Sequence, residues 1–82
     1  MKARVVVMLK SAVLDPQGRA VLGGLHSLGY SSVEDVRVGK EIVVTLGDVS
    51  EEEADRQVRE MCERLLSNPV IEDFNYTLER AS

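Results

Sequence analysis

Lys2-Ala3-Arg4-Val5-Val6-Val7-Met8-Leu9-Lys10 passes through Ser11-Ala12-Val13-Leu14 into Asp15-Pro16-Gln17-Gly18. The Val-rich first part reads as a strand, because branched side chains suit a pleated surface. Asp before Pro reads as a helix start. The aspartate caps first-turn amides that have no partner within the helix, and proline tolerates the first helical position because its missing N–H would be unpaired there anyway. Val21, Leu22, Leu25 and Leu28 recur at helical spacing, so the helix is predicted to run to Leu28 and to stop at Gly29. Gly23 and Gly24 interrupt it, each costing about 1 kcal/mol relative to alanine. Close packing on the sheet, or a slight bend, is the expected reason.

Outward from that junction, Val33–Val38 and Glu41–Gly47 are predicted to form a hairpin around Gly39-Lys40, since glycine at the first turn position suits a type II′ turn. Ser50 with Glu53 three residues on forms a capping box for a second helix, and Glu51, Glu52, Glu53 and Asp55 suit its positive dipole end. Ala54, Val58, Met61, Cys62, Leu65 and Leu66 make its apolar stripe. Asn68-Pro69 ends it, because proline disfavours the helical conformation of the residue before it. Val70–Glu79 is the last strand, with Phe74, Tyr76 and Leu78 on one face. The order βαββαβ predicts an α+β two-layer sandwich: an antiparallel four-stranded sheet with two helices on one face, formed by residues 1–82 as a single domain.

Two strands show apolar residues on both faces. If Val5, Val7 and Leu9 meet the helices, Val6 and Met8 point away from them, and Val43 does the same in the strand that turns Ile42, Val44 and Leu46 inward. A chain of 82 residues has nothing of its own to cover that second face. The expectation is a homo-oligomer, dimer or tetramer, whose interface includes Val6, Met8 and Val43.

Composition excludes several classes of function. The net charge of −4 and only three aromatic residues (Tyr30, Phe74, Tyr76) argue against nucleic acid. The longest apolar run, Val5–Leu9, is far short of the roughly 20 residues that span a bilayer, and the start of the chain carries no secretory pattern, so a cytoplasmic protein is expected. One histidine, His26, and one cysteine, Cys62, make neither a metal set nor a nucleophile–base pair. A packed or surface histidine and a buried, inert thiol are the expected roles. No catalytic residue, metal site or cofactor site is expected. The βαββαβ order is shared by regulatory amino-acid-binding modules of the ACT type and by acylphosphatase-like enzymes. The latter need a phosphate-cradling loop with an arginine after the first strand, which Ser11-Ala12-Val13-Leu14 does not offer.

The phrases Leu9-Lys10, Val13–Gly18, Val36-Arg37-Val38-Gly39-Lys40 and Leu65–Asp73 are more particular than a strand–helix fold requires. From Val5 to Phe74 the chain resembles the PurS family, the small subunits of phosphoribosylformylglycinamidine (FGAM) synthase in purine biosynthesis. Gly23-Gly24 departs from the family pattern, without a functional reading. The resemblance implies a subunit with no active site of its own in an ATP-dependent, glutamine-using ligase. Its partners would be a glutaminase subunit, which releases ammonia, and a large synthetase subunit, which uses that ammonia together with ATP and magnesium. The small subunit would bridge the two and assist ammonia transfer. Of the shared phrases, Asp15, Pro16, Gly18, Gly39, Asn68 and Pro69 have structural work to do as cap, turn and stop residues. Lys10, Gln17, Lys40 and Glu72 have no such role in the expected fold, which makes them the candidates for partner contact.

Overall fold

The computed structural model describes residues 1–80. Strand β1 (Lys2–Leu9) is followed by helix α1 (Pro16–Ser27), strand β2 (Gly39–Thr45), helix α2 (Glu51–Met61, continued as one wide π turn over Cys62–Leu66) and strand β3 (Glu72–Glu79). The sheet of the described residues has three antiparallel strands in the order β2-β1-β3, not four. The predicted hairpin does not form. Gly39 and Lys40 pair with Met8 and Val7 as the first residues of β2, and Gly39 lacks the positive φ that a type II′ turn requires at its first position. Val33–Val38 is irregular, because its polar groups are used elsewhere: Arg37 and the Val38 N–H both bond to the segment between β1 and α1.

Antiparallel register puts cross-strand partners on one face. Ala3, Val5 and Val7 share the inner face with Val44, Ile42 and Lys40 on one side and with Leu78, Tyr76 and Phe74 on the other. Helix α2 lays Ala54, Val58 and Cys62 against this face, and with Ala3, Val5 and Val7 these six are the buried apolar core. Ser50 caps α2 as predicted, its Oγ accepting from the Glu53 N–H at 3.1 Å. The box is half-formed, since the Glu53 carboxylate turns to Arg56 and Gln57. Ser67 ends the helix by donating both N–H and Oγ–H to the Cys62 carbonyl.

Helix α1 departs from the expected layer. Its cap and stop are as read: Asp15 accepts from Gly18 N–H, and Gly29 takes φ +98° just beyond the helix. Yet α1 does not pack on the sheet, and Gly18 is its only buried residue. Val21 is 44% exposed and Leu28 75%. The space around Gly23 and Gly24 is open, so close packing is not why they are glycine. The radius of gyration is 16.2 Å, against about 12 Å for a compact domain of this length. One helix, not two, covers the sheet, leaving Ile42, Val44 and Leu46 half-exposed.

On the outer face Arg4 bonds Glu41 and Glu79 across both neighbouring strands. Val6 and Val43 stand beside it, 41% and 48% exposed, and the Met8 side chain lies over Gly39.

Candidate functional site

Three chain segments meet at one end of the sheet: residues 10–18, 36–40 and 67–73. Where β1 ends, Lys10 N–H donates to the Ile71 carbonyl at 2.8 Å, which joins the first segment to the third. Arg37 joins the first to the second. Its Nη2 donates to the carbonyls of Lys10 (3.0 Å) and Val13 (3.1 Å) and, more weakly, of Leu9 (3.5 Å). Asp15 completes the clasp, accepting from Gly18 N–H at 3.0 Å through one oxygen and from Val38 N–H at 2.7 Å through the other. These two amides, Gly18 first, hold its carboxyl below the usual carboxylate range despite the opposing effect of burial.

The crossing segments touch backbone to backbone, which explains both glycines of the shared phrases. A Cβ on Gly18 would collide with the Val36 carbonyl and the Asp15 carboxylate; one on Gly39 would collide with Met8 Sδ and the Val7 carbonyl. Gly39 is thus required by close approach and not by a turn. Asn68 accepts from Val70 N–H through its side chain at 3.1 Å, an Asx turn that Pro69 fits.

Around this scaffold lies a groove of about 270 Å³. Val7, Leu9, Pro16 and Val38 supply its apolar lining, and Gln17, Lys40 and Glu72 its polar part. Gln17 and Lys40, 23 positions apart in sequence (40 − 17), therefore border one depression. Their side chains make no hydrogen bond or ion pair among the described residues. The other two contact candidates do have work in the fold. Lys10 pairs with Asp73 at 2.7 Å on the surface. Glu72 closes the turn before β3, its carboxylate accepting from Asn68 N–H and its own N–H donating to the Asn68 carbonyl, each at 2.7 Å. The reading of Glu72 as idle is corrected: the turn buckled by Asn68-Pro69 brings its carboxylate back onto Asn68. Leu14, Val70 and Ile71 expose apolar surface at the same end.

Sequence reasoning passed over Arg37, which lies inside a quoted phrase but carries no motif meaning. A lone arginine in a Val-rich run was the available signal. The two carboxylates of the groove are engaged with backbone amides, Asp15 with the Gly18 and Val38 N–H and Glu72 with the Asn68 N–H. His26 is exposed and its Nε2 lies 2.7 Å from the Val33 carbonyl. Cys62 is buried in the core, where desolvation pushes its thiol up, away from the reactive thiolate. No group of three or more metal-ligating side chains occurs among the described residues. The arrangement can present a shaped, partly apolar surface with one cation, which suits a protein contact.

The family model for PurS, phosphoribosylformylglycinamidine (FGAM) synthase, matches residues 2–80. The PurS subunit of that synthase from Bacillus subtilis is 51% identical over 78 residues, 95% of this chain and 92% of the relative. The crystal structure of Methanocaldococcus jannaschii PurS, one of the subunits of formylglycinamide ribonucleotide amidotransferase in the purine biosynthetic pathway, superposes with a TM-score of 0.88 at 38% identity, covering 99% of this chain and 98% of that one. A chain of the PurLQS structure from Thermotoga maritima superposes with a TM-score of 0.84 at 32% identity, covering 93% of each chain. The chain belongs to the PurS family and is a subunit of FGAM synthase in purine biosynthesis.

Proposed function

We propose that this chain is a non-catalytic bridge: it joins the glutaminase subunit to the ATP-dependent synthetase subunit and assists the passage of ammonia between them. The observation that carries this reading is the groove in which Gln17 and Lys40, side chains without partners among the described residues, stand over an apolar lining built mostly from the shared phrases. Such a surface, an apolar floor with a polar border, is what a protein interface uses. The likeness to a chain of PurLQS from Thermotoga maritima supports a multi-subunit setting. The ATP and magnesium chemistry belongs, on this reading, to the synthetase subunit in the cytoplasm. The exposed apolar residues Val6 and Val43, with Met8 on the same outer face, support a homo-oligomer formed through the outer sheet face.

Reconstitution tests the bridge. The chain alone should show neither glutaminase nor ATPase activity, and the two partner subunits should make product from glutamine slowly until it is added. Product formed at an undiminished rate without it would sink the bridging role. For the oligomer, Val6→Lys should weaken self-association in sedimentation, because it sets a charge against a surface that assembly dries. A wild-type chain that sediments as a 9.1 kDa monomer at micromolar concentration would end that claim.

A further inference from the structure

A helix that buries nothing against its own sheet must be aimed by something else. Helix α1 is that case: among its 12 residues only Gly18 is buried, and no strand packs along it. Its first turn is tied to two other segments, and near its far end His26 Nε2 meets the Val33 carbonyl of the loop that follows, at 2.7 Å. Asp15 grips Gly18 N–H within the helix and Val38 N–H outside it, while Arg37 grips the carbonyls of Lys10 and Val13 on the approach to the helix. Hydrogen bonds from a guanidinium are about twice as strong as neutral ones, and the planar head fixes their directions. The Lys10 carbonyl also accepts from the Val13 N–H at 2.9 Å, whereas for the Val13 carbonyl, beyond the end of β1, Arg37 is the donor seen among the described residues.

We infer that Arg37 is a positioning residue for assembly: through the clasp it shares with Asp15, it sets the angle at which α1 and the groove beside Gln17 are presented to the partner subunits. At 1.5 Å per residue α1 is about 18 Å long, so a tilt of about 10° at the clasp swings its far end by about 3 Å, enough to unseat a packed interface. The inference rests on the bridging role proposed above and adds the residue that aims the contact.

The test uses the full chain with Arg37→Met, which keeps the apolar stem and removes the donors, and Arg37→Lys, which restores a charged donor. Spin labels at Ser27→Cys, the end of α1, and Glu52→Cys, in α2, report the angle by pulsed electron resonance, with labelled chain diluted into an excess of unlabelled chain. Cys62 is buried and stays unlabelled. Wild type and Arg37→Lys should give one narrow distance, and Arg37→Met a broad distribution. Assembly with the glutaminase and synthetase subunits should weaken about tenfold in Arg37→Met and return to within about threefold of wild type in Arg37→Lys. If Arg37→Met does not fold, Asp15→Ser replaces it, since a serine hydroxyl caps the helix but is too short to reach Val38, and it should broaden the distance in the same way. A distribution as narrow as wild type overturns the inference, and so does a broadened one that leaves assembly unchanged. A wild-type chain that does not assemble with the two subunits refutes the bridging role instead, and the distance measurement still decides whether Arg37 aims the helix.

Discussion

The two helices of this chain are fixed by opposite means. Helix α2 is tied down by burial: Ala54, Val58 and Cys62 are fully covered against Ala3, Val5 and Val7. Among the described residues its polar ties to the sheet run from the Tyr76 hydroxyl to Asp55, 2.7 Å at the carboxylate, from the Arg59 guanidinium to the Tyr76 ring, 5.6 Å from its centroid, and from the Arg80–Glu51 ion pair near the end of β3. Helix α1 is tied down mainly by polar bonds at its first turn, with Val21 and Leu28 exposed and Leu22 and Leu25 only partly buried. Apolar burial is broad and non-directional, so it tolerates small shifts while supplying most of the stability. A clasp of few, directional bonds supplies little area and much orientation. The first region therefore answers for whether the chain folds, and the second for how it meets other chains.

Core truncation is the severest way to test that division. Val58→Ala removes two methyl groups from a fully buried site and should cost about 2 kcal/mol, the transfer loss plus a residual cavity. Leu28→Ala, on α1 and 75% exposed, should change stability by less than about 0.5 kcal/mol. Alkylation of Cys62 reads both. The core must open for reagent to reach that thiol, so Val58→Ala should speed its modification about thirtyfold and Leu28→Ala hardly at all. Comparable losses from the two variants would show that α1 contributes to the same core, and the contrast would fail.

Gly39→Ala comes next in size. The new methyl group meets Met8 Sδ, which can swing aside, and the Val7 carbonyl, which is fixed in the sheet. A cost of about 1–2 kcal/mol in thermal melts is expected, with part recovered in Gly39→Ala/Met8→Ala. No recovery would place the strain on the backbone contact alone. Were Gly39 needed for a turn, Gly39→Asn, which tolerates a positive φ, would be milder than Gly39→Ala; here it should be worse, because asparagine is larger.

Acid separates the regions in another way. The Asp15 carboxyl is held low by the Gly18 and Val38 amides. A depressed folded value means that its contribution is complete above the unfolded value of about 3.9 and is lost as pH falls through the lower folded one. Amide exchange in the first turn of α1 and at Val38 should therefore be flat from about pH 5 to pH 8, once corrected for intrinsic rates. Below about pH 4 it should accelerate. A transition near neutral pH would mean that something other than Asp15 holds the clasp.

What the sequence revealed follows the same division. The core was legible because burial leaves a pattern: a Val-rich apolar run in Val5–Leu9, alternation in Glu72–Glu79, and helical spacing in Ala54–Leu66. Caps and stops were legible because Asp15-Pro16, Ser50 and Gly29 act locally. The hairpin misled because Gly39 serves a close approach between segments distant in sequence, a need that leaves the same residue as a turn does. The placement of α1 was hidden for a related reason. Its stripe of Val21, Leu22, Leu25 and Leu28 announces an apolar face but not whose surface it meets. At the groove, membership of the shared phrases identified Gln17 and Lys40, whereas the hydrogen bonds that occupy Glu72 depend on the shape of the Asn68-Pro69 turn.

The smallest effect on stability should accompany one of the larger effects on assembly. Gln17 and Lys40 are exposed, and neither side chain is bonded within the described residues, so Gln17→Ala and Lys40→Ala should each leave thermal stability within about 0.5 kcal/mol. If their ends reach across to a partner subunit, each should weaken capture of the glutaminase or synthetase subunit by about tenfold, as loss of one interfacial bond of about 1.4 kcal/mol implies. Lys40 carries a charge and Gln17 does not, which makes the two separable. Added salt should shrink the Lys40→Ala deficit and leave that of Gln17→Ala unchanged, since screening acts only on the former. Normal melting with normal assembly in both variants would remove these side chains from the interface. The groove would then be a consequence of the Asp15–Arg37 clasp and the two glycines beneath it, shaped by the crossing of three segments and not by a partner.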